Sequence, residues 1–377
     1  MTDAPQSATV VPRLRLGVLG AGGIATIPEG VLPNMHHLAD EVELVAIADV
    51  DLERARGAAS RFGIAAAYST LDEMLAAAEI DAVANLTPIP AHADTSLRIL
   101  EAGKHLVVEK PIATTLAEAD RIIELAAQKG LTVVVAPPDM LYSPYSEAQR
   151  LVREDVIGKI AFARVRSSHA GPGGGPSGWP FDPTWFYQEG SGPLFDMGVY
   201  GIHEITGILG PAKRVTAFAG TTEETRTVRG NGAYSGIVMP VTTPDNNLFM
   251  LDFGNATFAV IDGTYNVHAS RSPKVEIFGR KGVINIINPG GPDLEVYRTD
   301  LAPGVDGWIA PNNYPQLADE RRGKLRRALL VAELVDSLRS GEKPTLSAEH
   351  ARHALEIMIA VHESARTGRV VELTTTF

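Results

Sequence analysis

From about residue 13 to residue 137, short apolar, β-branched runs alternate with alanine-rich stretches of helical periodicity. The apolar runs predict strands at 14–19, 43–48, 82–86, 105–108 and 131–136. The stretches between them predict helices at 71–78, 92–102 and 115–129. Each connection is long enough to return the chain parallel to the preceding strand. This part of the chain therefore predicts an α/β domain of the Rossmann type, with a parallel sheet covered by helices.

A different pattern follows Pro137 and Pro138, which can neither continue a helix nor donate to a sheet ladder. The expected strands now follow one another with turn residues between them, at 161–168, 214–220, 248–253, 257–262, 274–278 and 283–287. Helices are expected at 325–338 and 349–365. We therefore predict two domains, 1–138 and 139–377, the second an α/β domain with a large, open, mainly antiparallel sheet.

Length, charge and composition narrow the possible functions. A chain of 377 residues exceeds the size at which one hydrophobic core stops growing, which fits two domains. The net charge of −11 repels a phosphate backbone, so nucleic acid is not expected as a partner. The absence of cysteine excludes disulfides and thiolate metal sites. Without a signal-like N-terminus or a run of about 20 apolar residues, we expect a cytoplasmic enzyme with no membrane contact.

A glycine-rich turn follows the first predicted strand, in the segment Gly17-Val18-Leu19-Gly20-Ala21-Gly22-Gly23-Ile24-Ala25. Gly20 permits the tight turn, and Gly22 lets the backbone approach a pyrophosphate. Gly23 and Ile24 then begin a helix whose unpaired N–H groups face the phosphates. The alternative is a turn that merely connects a strand to a helix. The ordered strand, turn, helix and second strand favour a dinucleotide site.

Asp49 ends the second predicted strand, where a carboxylate accepts hydrogen bonds from the ribose hydroxyls of the cofactor. The same charge repels a 2′-phosphate, so the sequence favours NAD over NADP. Arg54 is close in the sequence and keeps NADP as the alternative.

Glu109, Lys110 and Pro111 stand at the carboxyl end of a parallel strand, where α/β sheets bind ligands. Glu109 and Lys110 are therefore expected to contact the cofactor. The Lys110 ammonium can hydrogen-bond the reacting oxygen and stabilise developing alkoxide charge while a hydride moves. The alternative is a Glu–Lys pair on the surface.

Four segments resemble the Gfo/Idh/MocA family of glucose-fructose oxidoreductases and inositol dehydrogenases: residues 85–92, 102–111, 190–198 and 364–368. The resemblance implies a Rossmann domain and a second domain whose open sheet often builds oligomer contacts, hence a dimer or tetramer. It assigns the catalytic role to Lys110. It also makes Thr87, Pro88 and His92 cofactor contacts, although His92 is alternatively only a residue at a helix N-terminus.

Asp196, Tyr200 and His203 share one face of a predicted helix. The family carries a histidine four positions after this aspartate, whereas this chain has Tyr200, as in the glucose-fructose oxidoreductase branch. The resemblance makes Asp196 an acceptor for a substrate hydroxyl and Tyr200 a substrate-binding or proton-relay group. His203 is either a relay or a core histidine. Trp185 either stacks on a sugar ring or packs in the core.

Together these features predict an NAD(P)-dependent dehydrogenase or reductase acting on a secondary alcohol or ketone of a sugar, cyclitol or glycoside. No residue spacing indicates a metal site. One alternative is an enzyme that cleaves glycosides with transient oxidation by NAD, and another is a non-catalytic regulator that senses a sugar or dinucleotide.

Overall fold

The computed structural model describes residues 12–311 and 320–377, which form two compact units. The first unit comprises residues 12–109, 120–136 and 320–344, and the second comprises 110–119, 137–311 and 345–377. In the described ranges, no helix combines the length and the apolar character needed to cross a membrane.

The first unit contains a six-stranded parallel sheet in the order β3-β2-β1-β4-β5-β6. Its strands are β1 Leu14–Leu19, β2 Val42–Ala48, β3 Ala66–Tyr68, β4 Ala82–Asn85, β5 His105–Val108 and β6 Val133–Val135. The helices of this region are α1 Gly23–Thr26, α2 Leu52–Phe62, α3 Leu71–Ala77, α4 His92–Glu101 and α5 Leu116–Lys129. This strand order is that of a dinucleotide-binding Rossmann sheet, which confirms the predicted fold class. The prediction omitted β3, which has only three residues.

The second unit contains a nine-stranded sheet in the order β16-β15-β14-β13-β7-β12-β11-β8-β17. Its strands are β7 Ile160–Arg166, β8 Arg214–Gly220, β11 Asn246–Gly254, β12 Thr257–Thr264, β13 Val275–Gly279, β14 Gly282–Ile286, β15 Leu294–Ala302, β16 Val305–Ile309 and β17 Val371–Glu372. A separate hairpin pairs β9 Thr225–Thr227 with β10 Val238–Pro240. Among the neighbouring strands that the structure describes in this sheet, only β7 and β12 run parallel to each other, so the predicted open, mainly antiparallel sheet is confirmed.

One face of the nine-stranded sheet is covered by helices α7 Val199–Leu209 and α10 Ala348–Thr367. The second unit also contains α6 Ser143–Arg153. Along β11 and β12, alternate residues point to the covered face, and Phe249, Leu251 and Ile261 are buried there. The pleat of the strands thus separates a packed face from an open one.

The two units do not follow the predicted division at residue 138. Helix α9 Leu329–Ser340, preceded by α8 Glu320–Leu325, belongs to the first unit because it packs on β5 and β6. Its residues Leu330 and Leu334 are completely buried. The strand and helix periodicity identified the helix but carried no information about which sheet it covers.

Candidate active site

The glycine turn of the first unit follows β1 as expected. Gly20 has φ +98°, and a Cβ there would lie 2.7 Å from the carbonyl oxygen of Leu86, so only glycine fits. At Gly22, by contrast, no described atom other than those of its two chain neighbours lies within 4 Å of the position a Cβ would take. The space beside this backbone suits the close approach of a pyrophosphate, so the turn fits a dinucleotide.

The helix after this turn is shorter than the motif suggests. Helix α1 has four residues and begins with Gly23 and Ile24. Pro28 lies two residues beyond its last residue, Thr26, and cannot supply the N–H that would extend the helix. The chain then continues in a 3-10 helix, Leu32–Leu38. The backbone N–H groups expected to face the phosphates therefore come from a single helical turn.

Asp49 is buried and braces the glycine turn. Its Oδ2 accepts the N–H of Ala21 at 2.8 Å, and its Oδ1 accepts the N–H of Asp51 at 2.9 Å. The guanidinium of Arg54 lies 3.2 Å from the same Oδ1. The two residues that the sequence connected with opposite cofactor preferences thus form an ion pair with each other.

Asn85, at the end of β4, organises the next loop. Its buried side chain accepts the hydroxyl of Thr87 at 2.7 Å and donates to the hydroxyls of Thr95 and Ser96 at 2.7 and 3.0 Å. The Nε2 of buried His92 lies 2.7 Å from the carbonyl oxygen of Thr87. The sequence analysis named Thr87, Pro88 and His92 but missed Asn85, whose signal is a polar residue at the end of a wholly buried strand.

Glu109 is paired within the first unit by a residue that the sequence analysis missed. An Nη1–H of Arg327 donates to Oε1 of Glu109 at 2.8 Å, and both side chains are largely buried. Arg327 lies 218 positions away in the sequence, so no local pattern connects the two. The burial of Glu109 disfavours the alternative of an exposed Glu–Lys pair.

Lys110 belongs to the second unit and contacts Asp196. Its Nζ donates to the carbonyl oxygen of Asp196 at 2.6 Å and to the carboxylate Oδ1 at 3.3 Å. The Lys110 side chain is only 10% exposed, and the bond to Pro111 is cis. Nζ also lies 4.9 Å from the ring centroid of Tyr200, within range of a cation–π contact. The structure thus brings together three of the residues predicted for catalysis.

Asp196 lies in a π-helical turn, Leu194–Gly198, that leads directly into α7. Its Oδ2 accepts the hydroxyl of Tyr265 at 2.9 Å and lies 4.0 Å from Nε2 of His169. The rings of His169 and Tyr265 are stacked, with centroids 5.4 Å apart. The carboxylate is therefore surrounded by an ammonium, a phenol and an imidazole.

His169 and Tyr265 were not among the residues predicted from the sequence. Both follow the ends of neighbouring parallel strands, β7 and β12, and that pairing was not predicted. Nδ1 of His169 accepts the N–H of Gly171 at 2.7 Å, so in the neutral ring the proton sits on Nε2, towards Asp196. Burial lowers the pKa of His169, and the neighbouring Asp196 and Lys110 act on it in opposite directions. Burial, reinforced by Asp196, raises the pKa of Tyr265 well above its usual value.

A second ammonium lies near the Tyr200 ring. Nζ of Lys274 is 6.0 Å from the ring centroid, forms an ion pair with the completely buried Glu204, and lies 3.6 Å from Oδ1 of Asp139. These charges raise the pKa of Lys274 above its ordinary value, despite the opposing effect of burial. The aromatic face of Tyr200 therefore packs near two cations.

His203 and Trp185 have different surroundings from the Lys110 cluster. His203 is buried, and its ring lies 4.6 Å from that of His350. Burial, with a smaller effect of His353, lowers the pKa of His203 to about 3. This environment favours the alternative of a core histidine. Trp185 is 43% exposed and contacts Phe186, with ring centroids 4.3 Å apart.

Two family models match this chain. The NAD-binding Rossmann model of the GFO_IDH_MocA oxidoreductase family matches residues 14–136, and the C-terminal domain model of that family matches 145–285. The chain is 26% identical to a myo-inositol 2-dehydrogenase of Thermotoga maritima over 96% of this chain and 98% of that protein. It is 25% identical to an NADP(+) D-xylose 1-dehydrogenase of Haloferax volcanii over 96% and 100% of the two chains.

A solved structure has the same fold. Levoglucosan dehydrogenase in complex with NADH superposes with a TM-score of 0.82 and 22% identity, over 97% of this chain and all of that one. The two family models together cover more than half of the chain, with the Rossmann model first and the C-terminal domain model second. The chain therefore belongs to the Gfo/Idh/MocA family of oxidoreductases with an NAD-binding Rossmann fold.

Proposed function

We propose that this protein is an NAD-dependent dehydrogenase or reductase that transfers a hydride between nicotinamide and a secondary alcohol or ketone of a sugar, cyclitol or glycoside. The observation that carries the proposal is the buried contact between the Lys110 ammonium and Asp196. The substrate class is supported by relatives that are named as dehydrogenases of myo-inositol and D-xylose.

Lys110 is proposed to bind the reacting oxygen. An ammonium has three N–H donors, and its contacts with the carbonyl and carboxylate of Asp196 fix the direction in which it points. A hydrogen bond from this ammonium stabilises the charge that develops on an alkoxide oxygen, most strongly in a site that excludes water. Bound nicotinamide would supply the hydride donor or acceptor, and the turn at Gly20 and Gly22 would hold its pyrophosphate.

Asp196, Tyr265 and His169 are proposed to handle substrate hydroxyls and protons. At neutral pH the Tyr265 hydroxyl keeps its proton because its pKa is raised, and His169 is neutral because its pKa is lowered. Nδ1 of His169 accepts the N–H of Gly171, so the Tyr265 hydroxyl and the Nε2–H of His169 are both hydrogen-bond donors. Both face Oδ2 of Asp196. Tyr200, at the position where the family carries histidine, is proposed to orient Lys110 through its ring. Trp185 keeps its proposed role as a stacking surface for a sugar.

The preference for NAD is proposed from Asp49. Its carboxylate is held in place by the N–H groups of Ala21 and Asp51, so the negative charge is fixed beside the glycine turn. Pairing with Asp49 engages Arg54, which reduces the ability of that guanidinium to attract a 2′-phosphate. Thr87, Pro88, His92 and Glu109 remain proposed contacts of the cofactor in the first unit.

The decisive experiment follows nicotinamide absorbance with NAD and NADP against myo-inositol, D-xylose, levoglucosan and simple glycosides. We expect net reduction of NAD by at least one free sugar or cyclitol, and slower reduction of NADP. Faster reduction of NADP would contradict the role of Asp49. Glycoside cleavage without net NADH would support transient oxidation instead. Binding of sugars without either reaction would support a regulator.

We also propose that the protein forms homo-oligomers through the open face of the nine-stranded sheet. Five apolar side chains on β8, β11 and β12 are between 40% and 84% exposed on that face: Phe218, Leu248, Met250, Phe258 and Val260. The strand register places Phe218 opposite Leu248 and Met250 opposite Val260, so the patch is continuous. A continuous apolar patch of this kind favours association with a second copy of the chain.

Replacing Phe218, the most exposed of these side chains, by aspartate is expected to convert the oligomer to monomer, because it places a charge in the apolar patch. Light scattering coupled to size-exclusion chromatography measures the mass. Val238→Asp is the matched control, since Val238 is also exposed but lies on the separate hairpin. A monomeric wild-type protein, or equal masses for the two variants, would contradict the proposed interface.

A further inference from the structure

The π-helical turn that carries Asp196 is bridged by a side chain from the sheet. Ser167, immediately after β7, is 1% exposed, and its hydroxyl donates to the carbonyl oxygen of Met197. The same hydroxyl accepts the N–H of Gly201 at 3.0 Å. In a regular α-helix these two backbone groups bond each other, because they are four residues apart. The Ser167 hydroxyl therefore connects to the helix at the junction between the π-helical turn and α7.

The helix at Gly201 and the strand end at Ser167 lie close together. A Cβ on Gly201 would lie 2.8 Å from Cγ1 of Val165 and 2.9 Å from Cβ of Ser167, so glycine permits the helix to approach the strand. The N–H of Ser167 donates to the carbonyl oxygen and to Oδ1 of Asp262 at 3.0 and 3.1 Å. The serine is thus fixed to β12 and presents its hydroxyl at one defined point.

Within this turn, Asp196 presents both its carbonyl oxygen and its carboxylate to Lys110. In the turn, the N–H of Val199 donates to the carbonyl of Leu194, five residues earlier, as a π-helix requires. The carbonyl oxygen of Asp196 accepts a hydrogen bond from Nζ of Lys110 at 2.6 Å, and its carboxylate Oδ1 accepts one from the same Nζ at 3.3 Å. Single π-helical turns next to α-helices are frequent at functional sites.

We propose that Ser167 is a positioning residue, whose hydroxyl maintains the π-helical turn so that both the carbonyl and the carboxylate of Asp196 hold Lys110. Ser167 contacts neither Lys110 nor the side chain of Asp196 through this bridge, and it acts through the backbone at Met197 and Gly201. The catalytic part of this inference rests on the proposed dehydrogenase function. The structural part stands on its own.

The test compares Ser167→Ala with Ser168→Ala as the matched control. The Ser168 hydroxyl donates to Asp262 and accepts the N–H of Thr264, so its loss perturbs the same strand ends but removes neither bond of the Ser167 hydroxyl to Met197 and Gly201. Hydrogen exchange in the substrate-free protein, measured on a peptide covering residues 194–203, is expected to accelerate roughly 10-fold in Ser167→Ala. The control is expected to exchange at the wild-type rate in this peptide.

Turnover with NAD and the best substrate among myo-inositol, D-xylose and levoglucosan gives the second readout. We expect kcat to fall about 10–100-fold in Ser167→Ala with the KM for NAD unchanged, and Ser167→Thr, which keeps the hydroxyl, to recover most of it. Wild-type exchange in Ser167→Ala, or equal losses of kcat in the two alanine variants, overturns the proposal. If Ser167→Ala does not fold, Ser167→Cys is measured instead, and wild-type exchange and kcat in that variant contradict the bridge. If none of these substrates reduces NAD, the proposed function fails while the exchange comparison still decides the bridge.

Discussion

Replacement of Lys110 by alanine is expected to lower turnover by roughly 10²–10⁴-fold while binding of NADH persists. The variant removes the ammonium that is held by the carbonyl and carboxylate of Asp196, and with it the stabilisation of developing alkoxide charge. Steady-state kinetics measures the loss of kcat, and quenching of intrinsic fluorescence by NADH measures cofactor binding. The glycine turn and Asp49 belong to the first unit and are not altered by the change.

Lys110→Arg and Lys159→Ala are the controls for this prediction. Arginine keeps the positive charge but has a larger, planar head group that cannot reproduce the contacts of an ammonium, so we expect a loss of kcat nearly as large as that of the alanine variant. Lys159 is exposed, and its replacement is expected to leave kcat unchanged. Turnover of Lys110→Ala at the wild-type rate would rule out the proposed mechanism.

Mild acid is expected to destabilise the folded protein through three buried histidines, His203, His350 and His353. Burial lowers the pKa of His203 to about 3 and that of His353 to about 4, and lowers that of His350 well below its usual value. Unfolded histidines bind a proton near pH 6.5, so the stability that these groups contribute is complete above that pH and is lost as the pH falls below it. Between pH 7.5 and 5, each such histidine costs about 2 kcal/mol of folding free energy.

Burial keeps His353 neutral, and the hydrogen bond that it accepts from Ala212 fits the neutral ring. Its Nε2 accepts the N–H of Ala212 at 3.0 Å. Protonation of Nε2 would place its N–H opposite the N–H of Ala212, so that two donors face each other. Its Nδ1 contacts the hydroxyl of Thr375, which in turn donates to Glu356. The Glu356 carboxylate opposes the effect of burial on the pKa of His353 but is the smaller influence. Protonation would therefore break the hydrogen bond between Nε2 and Ala212, while Nδ1–H still donates to Thr375.

Urea denaturation at pH 7.5 and pH 5 measures this effect. We expect the free energy of unfolding to fall by several kcal/mol in the wild type and by less in His350→Gln, which cannot be protonated. His268→Gln is the control, because His268 is exposed, and its pH dependence should equal that of the wild type. Equal stability of the wild type at the two pH values would show that the buried histidines do not control its acid sensitivity.

Local patterns were sufficient to predict most of the first sheet and several site residues. The alternation of apolar runs located five of the six strands, and the glycine turn and the Glu-Lys-Pro turn follow strands β1 and β5 as expected. The offset between Asp196 and Tyr200 predicted a shared helix face, and both contact Lys110. These features depend on residues that are close in the sequence.

The residues that the sequence analysis missed come together only through tertiary structure. Arg327 reaches Glu109 across 218 positions, and Tyr265 reaches Asp196 across 69. The π-helical turn depends on a hydroxyl from Ser167, 30 positions before Met197. The residues of the helix alone do not predict this contact. The position of His203 on the helix face did not distinguish a proton relay from a core histidine. Its burial in the structure favours the core histidine.

The return of α9 to the first sheet has a consequence for protein engineering. A fragment ending near residue 138 would lack the helix that covers β5 and β6, and would expose the apolar surface that Leu330 and Leu334 now bury. Chimeras that exchange the cofactor-binding half of this chain must therefore exchange two separate stretches, one before the paired prolines and one at residues 320–344. Hybrids that take residues 320–344 from the same parent as the cofactor-binding half should fold more often than hybrids made by a single crossover after the paired prolines.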